Sequence, residues 1–273
     1  ERLGSGGMGE VWRVFDRRLQ RPVALKVIHR PLVEEALLTR FEEEARVTAQ
    51  LQHPGIIPVH DVGRLDDGRL WFAMKEVRGR TLEVLLQEVH RAWRMGLESG
   101  PSGFTFRRML EGFLRVCETM AYAHSQGVVH RDLKPSNVLV HGDRLWLADF
   151  GAAHRVDQEA DAPRRGSVRW MAPEQLLGRW RDVGPATDLY AVGLVAWWRA
   201  RGELPWGTDD PTELARRRSA SAPDARGFSE PLQAWLARLL APETAARFPS
   251  AATARQALSE LPDLAPTPAP GTA

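Results

Sequence analysis

Lysine is almost missing from this chain of 273 residues: of its 37 basic side chains only Lys26, Lys75 and Lys134 are lysine, and every other is arginine. Cysteine is scarcer still. Cys117 stands alone, so no internal disulfide can form and no cysteine–histidine set has the spacing of a zinc site; the reducing cytosol is the expected compartment. No apolar run approaches the roughly 18 residues of a membrane helix, and Glu1-Arg2-Leu3-Gly4 does not open a signal-peptide core. The expectation is a soluble, cytoplasmic domain with no membrane contact of its own, free or as the cytosolic part of a larger or membrane-anchored protein. A dominant charge is absent too. The 37 basic residues nearly cancel 35 acidic ones to a net +2, with no long basic block, which argues against nucleic acid as a partner.

What is present is an ordinary globular composition, 43% hydrophobic and 26% charged, in a length that suits one large domain or two apposed lobes. The first 77 residues read as a small sheet with one helix: strands over Val11–Phe15, Pro22–Ile28 and Leu70–Val77, and a helix over Leu32–Leu51. From Thr81 the pattern is mainly helical, with periodic runs over Leu82–Met95, Phe106–Ser125, Ala186–Arg201 and Leu232–Leu240. A Gly/Ser/Pro cluster between Gly96 and Gly103 predicts a loop, so residues 87–111 read as an elaborated helix–loop–helix, for docking or for packing. Prolines at 262, 266, 268 and 270 mark residues 262–273 as a linker, with further domains expected after it. The expected division is therefore 1–77, 78–261 and the linker.

Chemistry enters with Gly4-Ser5-Gly6-Gly7-Met8-Gly9-Glu10-Val11. Glycines of this kind serve either a dinucleotide fold, where they open a helix, or a hairpin lid over phosphates. The residues after Gly9 are Glu-Val-Trp-Arg-Val-Phe, which is strand-like, so the dinucleotide reading falls. Val23-Ala24-Leu25-Lys26 is a strand whose lysine can point to phosphates while its neighbours pack. Phe41, Glu44, Thr48 and Leu51 recur at spacings of three and four, which puts Glu44 on the inward face of its helix, where it wants a cation; Lys26 is the obvious one. Glu42 and Glu43 lie off that stripe and read as solvated.

His130-Arg131-Asp132-Leu133-Lys134-Pro135-Ser136-Asn137, then Asp149-Phe150-Gly151 and Ala172-Pro173-Glu174, complete the pattern. In order and spacing, from Leu3 to about Leu261, the chain resembles the Hanks-type protein kinases of the bacterial serine/threonine kind. The resemblance implies an α+β, bilobal fold, with a small antiparallel sheet and helix in the N-lobe and a larger, mainly helical C-lobe. It implies ATP as phosphoryl donor, Mg²⁺ as cofactor with Mn²⁺ as a substitute, and protein serine or threonine hydroxyls as acceptors, autophosphorylation included. By the same resemblance Asp132 orients the acceptor hydroxyl and takes its proton, and Lys134 neutralises the transferring phosphoryl group. Lys26, held by Glu44, grips the α/β-phosphates, and Asn137 and Asp149 bind the metal. The adenine then lies against Val11, Ala24 and Leu139, with Met74 at the back and the backbone of Lys75, Glu76 and Val77 as its hydrogen-bond partners. His130 and Phe150 pack beneath the site, Asp188 fixes the catalytic loop, Arg247 pairs with Glu174, and Ser167 bridges Asp132 and Lys134.

Two departures from the family pattern stand out. Trp170 occupies a position where tyrosine is more usual, and the segment from Gly151 to Gly166 contains no serine, threonine or tyrosine. Activity independent of phosphorylation in that segment is expected, with Asp157, Glu159 or Asp161 offering a carboxylate to Arg131 in place of a phosphate. The competing reading is a pseudokinase scaffold or nucleotide-binding regulator, which would usually lack one of Lys26, Glu44, Asp132, Asn137 or Asp149; none is missing. Asp132→Asn and Lys26→Met are each expected to leave a folded, largely inactive protein.

Overall fold

β-branched and aromatic residues dominate the first strands, and their pairing builds one sheet. The computed structural model describes residues 1–6, 9–29, 35–97, 99, 102–103, 106–150, 154–155 and 168–261. Strands β1 (Arg2–Ser5), β2 (Gly9–Asp16) and β3 (Arg21–Ile28) are followed by helix α1 (Glu35–Gln50) and strands β4 (Val59–Arg64) and β5 (Leu70–Lys75). The five strands form one antiparallel sheet in the order β1-β2-β3-β5-β4. Helix α1 packs on β4 and β5, with Phe41 against Phe72 at 5.1 Å between ring centroids, and Ile28, Ala45 and Leu70 complete this small core.

Register decides what this sheet can hold. Val11 pairs with Lys26, Lys26 with Phe72, and Ala24 with Met74. Directly opposed residues and residues two apart share a face, so Val11, Ala24, Lys26 and Met74 all lie on one side of the sheet. Gly9 starts β2 opposite Ile28, where a Cβ would stand 2.2 Å from the Val27 carbonyl oxygen, so only glycine fits there.

The second part begins at β6 (Arg80–Thr81) and α2 (Leu82–Arg94), which is N-capped by Thr81 accepting from the Val84 N–H. It continues through α3 (Phe106–Ser125), β7 (Val128–Val129), β8 (Val138–His141), β9 (Arg144–Leu147), β10 (His154–Arg155), α4 (Pro173–Leu176), α5 (Pro185–Arg201), α6 (Pro211–Ala220), α7 (Glu230–Leu239) and α8 (Ala251–Ser259). Helix α5 is buried almost all round and sits in the middle of the lobe, where Leu189, Val192 and Leu194 meet Met120 of α3 and Leu239 of α7 in one large core. Cys117 lies in that core, and burial pushes its thiol up to about 12, which makes it inert. No helix among the described residues is long and apolar enough to cross a membrane. This is the bilobal α+β architecture that the motifs implied.

The elements differ from expectation mostly at their ends. The strand expected to reach Val77 stops at Lys75, because its last partner in β3 is Val23. The helix expected over Leu32–Leu51 is seen from Glu35 to Gln50, residues 30–34 lying outside the described set. Its stripe is as expected, with Phe41, Glu44, Thr48 and Leu51 all buried, while Glu42 and Glu43 are half-buried rather than fully solvated. In the 87–111 segment α2 buries Val89, His90 and Ala92, so its second half packs into the lobe; Met95 and Leu97, which follow, are exposed. Residues 262–273, expected as a linker, fall outside the described residues.

Candidate active site

Lys26 projects from β3 to a point where it meets α1 and the segment after β9. Its ammonium meets Glu44 Oε1 of α1 at 2.5 Å and Asp149 Oδ1, just past β9, at 3.0 Å, and it stands 5.4 Å from the centre of the Phe72 ring. Burial alone would lower the Lys26 pKa, but the charges and hydrogen bonds of Glu44 and Asp149 outweigh it and hold the pKa above the ordinary lysine value. A cation is thus fixed on the sheet face that also carries Val11, Ala24 and Met74. Asp149 adopts φ +60°, a conformation that non-glycine residues rarely take, so the chain turns sharply to bring its carboxylate there.

The loop from His130 to Asn137 supplies the second cluster. Lys134 Nζ donates to Asp132 Oδ2 at 2.7 Å, and Asn137 Nδ2 donates to the Asp132 carbonyl at 2.9 Å. Asp132 Oδ1 is buried and accepts from no group among the described residues. With its nitrogen committed to Asp132, the Asn137 amide keeps its oxygen for another partner. No set of three or more His, Cys, Asp and Glu side chains that could hold a metal occurs among the described residues. A magnesium ion requires none, because it binds through one or two protein oxygens, waters and substrate phosphates. Asn137 and Asp149 fit that donor set.

His130 and Phe150 are fully buried, with ring centroids 4.6 Å apart. His130 Nδ1 accepts from the Asp132 N–H at 3.3 Å and Nε2 donates to the Ala148 carbonyl at 3.2 Å, so the network assigns its proton to Nε2. Both rings are therefore packing and positioning groups beneath the loop.

Arg131, with φ +66°, is a second strained position, and Asp188 of α5 holds it. Asp188 Oδ1 accepts from the Arg131 N–H at 2.7 Å, and Oδ2 accepts from the His130 N–H and from His124 Nε2, each at 2.8 Å. Burial would raise the Asp188 pKa, but the hydrogen bond from His124 and the His130 N–H outweigh it and hold it below the ordinary value. A depressed folded-state pKa stabilises the fold fully at neutral pH, and that contribution is lost as pH falls below about 3.9 and through the folded value. Asp188→Asn puts an amide N–H against one of these donors, so it is expected to lower stability at pH 7 by about 1–3 kcal/mol. In acid unfolding followed by circular dichroism the gap between variant and wild type closes below about pH 4; a pH-independent gap would contradict the assignment.

Glu174 of α4 and Arg247 form a buried bidentate pair, Nη1–Oε1 at 2.7 Å and Nη2–Oε2 at 2.8 Å. Arg247 also donates to the carbonyls of Ala241, Ala186 and Pro242. Thr187 adds a hydroxyl to Glu174 Oε1 at 2.8 Å. The neighbouring Gln175 accepts from the Ala172 N–H at 3.0 Å and donates to the Arg131 carbonyl at 2.8 Å, tying this motif to the loop that carries Asp132. Trp170, the departure from the family's usual tyrosine, packs edge-on against Trp198 of α5 at 5.6 Å.

Between the lobes, the Lys75 N–H donates to the Pro58 carbonyl at 3.0 Å. The N–H groups of Glu76 and Val77 have no partner among the described residues. The Glu76 carboxylate turns away to Arg13 at 2.5 Å and Arg78 at 3.2 Å. Leu139 lies in β8, paired with Trp146. In the glycine loop, the Gly6 N–H donates to the Gly9 carbonyl at 2.9 Å, and open space surrounds Gly4 and Gly6. Ser5 ends β1 opposite Glu10. Gly7, Met8, Gly151, Asp157, Glu159, Asp161 and Ser167 lie outside the described residues.

His124, Gln175, Thr187 and Arg218 were missed by sequence reasoning. Arg218 of α6 is fully buried beside Tyr190 and Trp206 and donates to the carbonyls of Met171 and, at 2.8 Å, Arg169, so it anchors the segment before Ala172. One signal was present in the sequence: Gln175 follows Glu174 directly. The other three act from helices far along the chain.

Residues 1–260 match the protein kinase domain family. Among curated proteins, the serine/threonine-protein kinase PknA of Mycobacterium tuberculosis is 33% identical over 230 residues, which cover 81% of this chain and 50% of that protein. The serine/threonine-protein kinase pkn3 of Myxococcus xanthus is 34% identical over 234 residues, covering 81% and 40%. PknD of Chlamydia pneumoniae, also a serine/threonine-protein kinase, is 36% identical over 214 residues, covering 71% and 22%. The chain spans half the length, or less, of these curated relatives. A family match over nearly all of the chain, joined to a lysine–glutamate–aspartate cluster and a buried aspartate in the loop from His130 to Asn137, in the places the motifs require, means that this chain belongs to the protein kinase domain family.

Proposed function

We propose that this chain transfers the γ-phosphoryl group of ATP to a serine or threonine hydroxyl of a protein. The observation that carries the proposal is Asp132: Lys134 holds Oδ2, while Oδ1 is buried, accepts from no group among the described residues and is the acceptor a substrate hydroxyl needs. As the acceptor oxygen forms its bond to the γ-phosphorus, the bond from that phosphorus to the β,γ-bridging oxygen breaks. ADP leaves and the hydroxyl proton passes to Asp132. Lys134 faces the charge on the transferring group. Lys26, oriented by Glu44, grips the α/β-phosphates; the glycine loop from Gly4 to Gly9 covers them. The base lies against Val11, Ala24, Met74 and Leu139, hydrogen-bonded by the backbone that follows Lys75. Magnesium, held by Asn137 and Asp149, supplies charge neutralisation at the phosphates. Residues 1–77 form the nucleotide lobe and 78–261 the lobe that brings Asp132 and the acceptor, in a cytoplasmic setting.

The experiment is labelled phosphate transfer from ATP to a generic basic protein, with Mg²⁺, with Mn²⁺ and with chelator. Transfer is expected with either metal and none with chelator. Lys26→Met is expected to abolish transfer, and also to lower the melting temperature, because it removes the cation beside the buried Glu44. ATP binding without transfer in the wild-type protein would instead mark a pseudokinase.

A further inference from the structure

A cavity of about 710 Å³ lies on the far side of the segment that joins the lobes. The nucleotide-side residues Val11, Ala24, Lys26 and Leu139 take no part in its walls. The segment Lys75–Val77 does. Because strand side chains alternate, Met74 on the nucleotide face puts Lys75 on the opposite one. There its ammonium stands 5.0 Å from the centre of the Trp146 ring.

The walls are strongly cationic. Arg21, Lys75 and Arg144 line the cavity, and among the described residues none of the three makes an ion pair, although the exposed carboxylate of Asp16 acts on Arg21 through its charge. Arg21 Nε is buried and has no acceptor among the described residues. The lining holds a single carboxylate, Glu76, whose Oε1 is already held by Arg13 and Arg78. His60, on the rim, has a pKa lowered by burial and then by the charges of Arg21 and Lys75, which outweigh the opposing charge of Asp16, so the local field is net positive.

We propose that this cavity is a docking site for a phosphorylated peptide segment of a partner protein. One carboxylate would leave two of three cations uncompensated, whereas a phosphoryl group carries a charge of nearly two and three acceptor oxygens that suit arginine forks. A bare phosphate would leave most of the volume unused. The other walls ask for a chain: Pro22, Val77 and Trp146 are apolar, and Glu76 Oε2 is a buried acceptor without a donor, which a peptide N–H supplies. Strand β4, which contributes His60, ends the sheet order, and its outer edge pairs with no strand among the described residues. An extended peptide has a backbone edge to follow beside the cavity.

The test is fluorescence anisotropy on the purified chain without nucleotide, using labelled phosphoserine and phosphothreonine peptides with randomised flanks and their unphosphorylated counterparts. Binding of the phosphorylated pool alone is expected, weakening as salt rises. Arg21→Gln/Arg144→Gln is expected to weaken it at least tenfold and to leave the rate on a short substrate peptide unchanged. If the double variant is unstable, Arg144→Gln, in an exposed hairpin position, gives the same reading with a smaller fold-change. Equal binding of both pools, no binding of either, or wild-type affinity in the variants would overturn the proposal; the last would place the peptide in the catalytic cleft. Displacement by inorganic phosphate or ADP at the peptide's own affinity would also overturn it, by showing a free-anion site. Because the readout is binding without ATP, its outcome is independent of whether the chain transfers phosphate.

Discussion

Asp132→Asn is expected to lower kcat by about 10²–10⁴-fold, the range of a positioned general base, while the melting temperature stays close to wild type. The asparagine has the same shape, and its amide oxygen can still accept one hydrogen bond. It cannot take the proton that leaves the acceptor hydroxyl, and it removes the carboxylate that Lys134 holds at 2.7 Å. The backbone contacts that shape the loop do not involve that carboxylate. The Asp132 N–H still reaches His130 Nδ1, Asn137 still donates to the Asp132 carbonyl, and Asp188 still holds residues 130 and 131. A loss in kcat with the KM for ATP little changed separates a role in transfer from one in nucleotide binding. Initial rates at saturating ATP, with a thermal melt of the same preparation, measure both. Near-wild-type turnover in a folded Asp132→Asn protein would remove Asp132 from the chemistry.

The residues of this cluster were legible because each sits in a short run whose spacing is set by local geometry. Val23-Ala24-Leu25-Lys26 is a strand in which alternation alone aims the lysine, and the three- and four-residue spacing around Glu44 aims the glutamate back at it. The supports were legible only in part. Asp188 and Arg247 were reached through the family pattern, yet nothing in the sequence near His124 says that its ring will complete the Asp188 site 64 residues away. Arg218 shows the same limit more sharply, since Arg216, Arg217 and Arg218 read alike in sequence. Arg216 and Arg217 pair with Glu213 at the surface, whereas Arg218 is wholly buried under the segment at Arg169. Only the packing of α6 chooses among them. Among the strands, β4 was missed because its residues Val-His-Asp-Val-Gly-Arg are polar and mostly exposed, as an edge strand allows. The hairpin of β8 and β9 was missed because each strand is only four residues long. The Lys75 amide shows a subtler limit. Its placement in a strand was readable, but its commitment to the Pro58 carbonyl depends on a non-helical, non-strand segment whose path sequence does not give.

Arg247→Ala is expected to be the most destabilising single change, about 3–5 kcal/mol, the cost typical of removing one partner from a buried ion pair. For a chain of this size that corresponds to a fall in melting temperature of roughly 10 °C, a large share of a stability of about 5–15 kcal/mol. Arg247 uses all five of its N–H donors, two on Glu174 and three on the carbonyls of Ala241, Ala186 and Pro242. Its removal leaves a buried carboxylate and three buried carbonyls short of donors at once. That count ranks the variants. Arg247→Lys recovers the charge but has three donors and no planar fork, so it restores only part of the loss. Glu174→Gln is milder than either alanine change, because the arginine keeps its carbonyl partners and an amide oxygen still faces it. The double variant Glu174→Gln/Arg247→Met removes the unpaired charge but not the carbonyl deficit, so it lies between Arg247→Ala and wild type instead of returning to it. Activity follows the same ranking at temperatures where every variant is folded. Glu174 anchors the turn in which Gln175 holds the Arg131 carbonyl, and Arg131 is the strained residue immediately before Asp132. Thermal melts of the four variants beside phosphotransfer rates at 20–25 °C measure both quantities. Equal melting temperatures for Arg247→Lys and wild type would mean that donor geometry contributes nothing and that charge alone holds this corner of the fold.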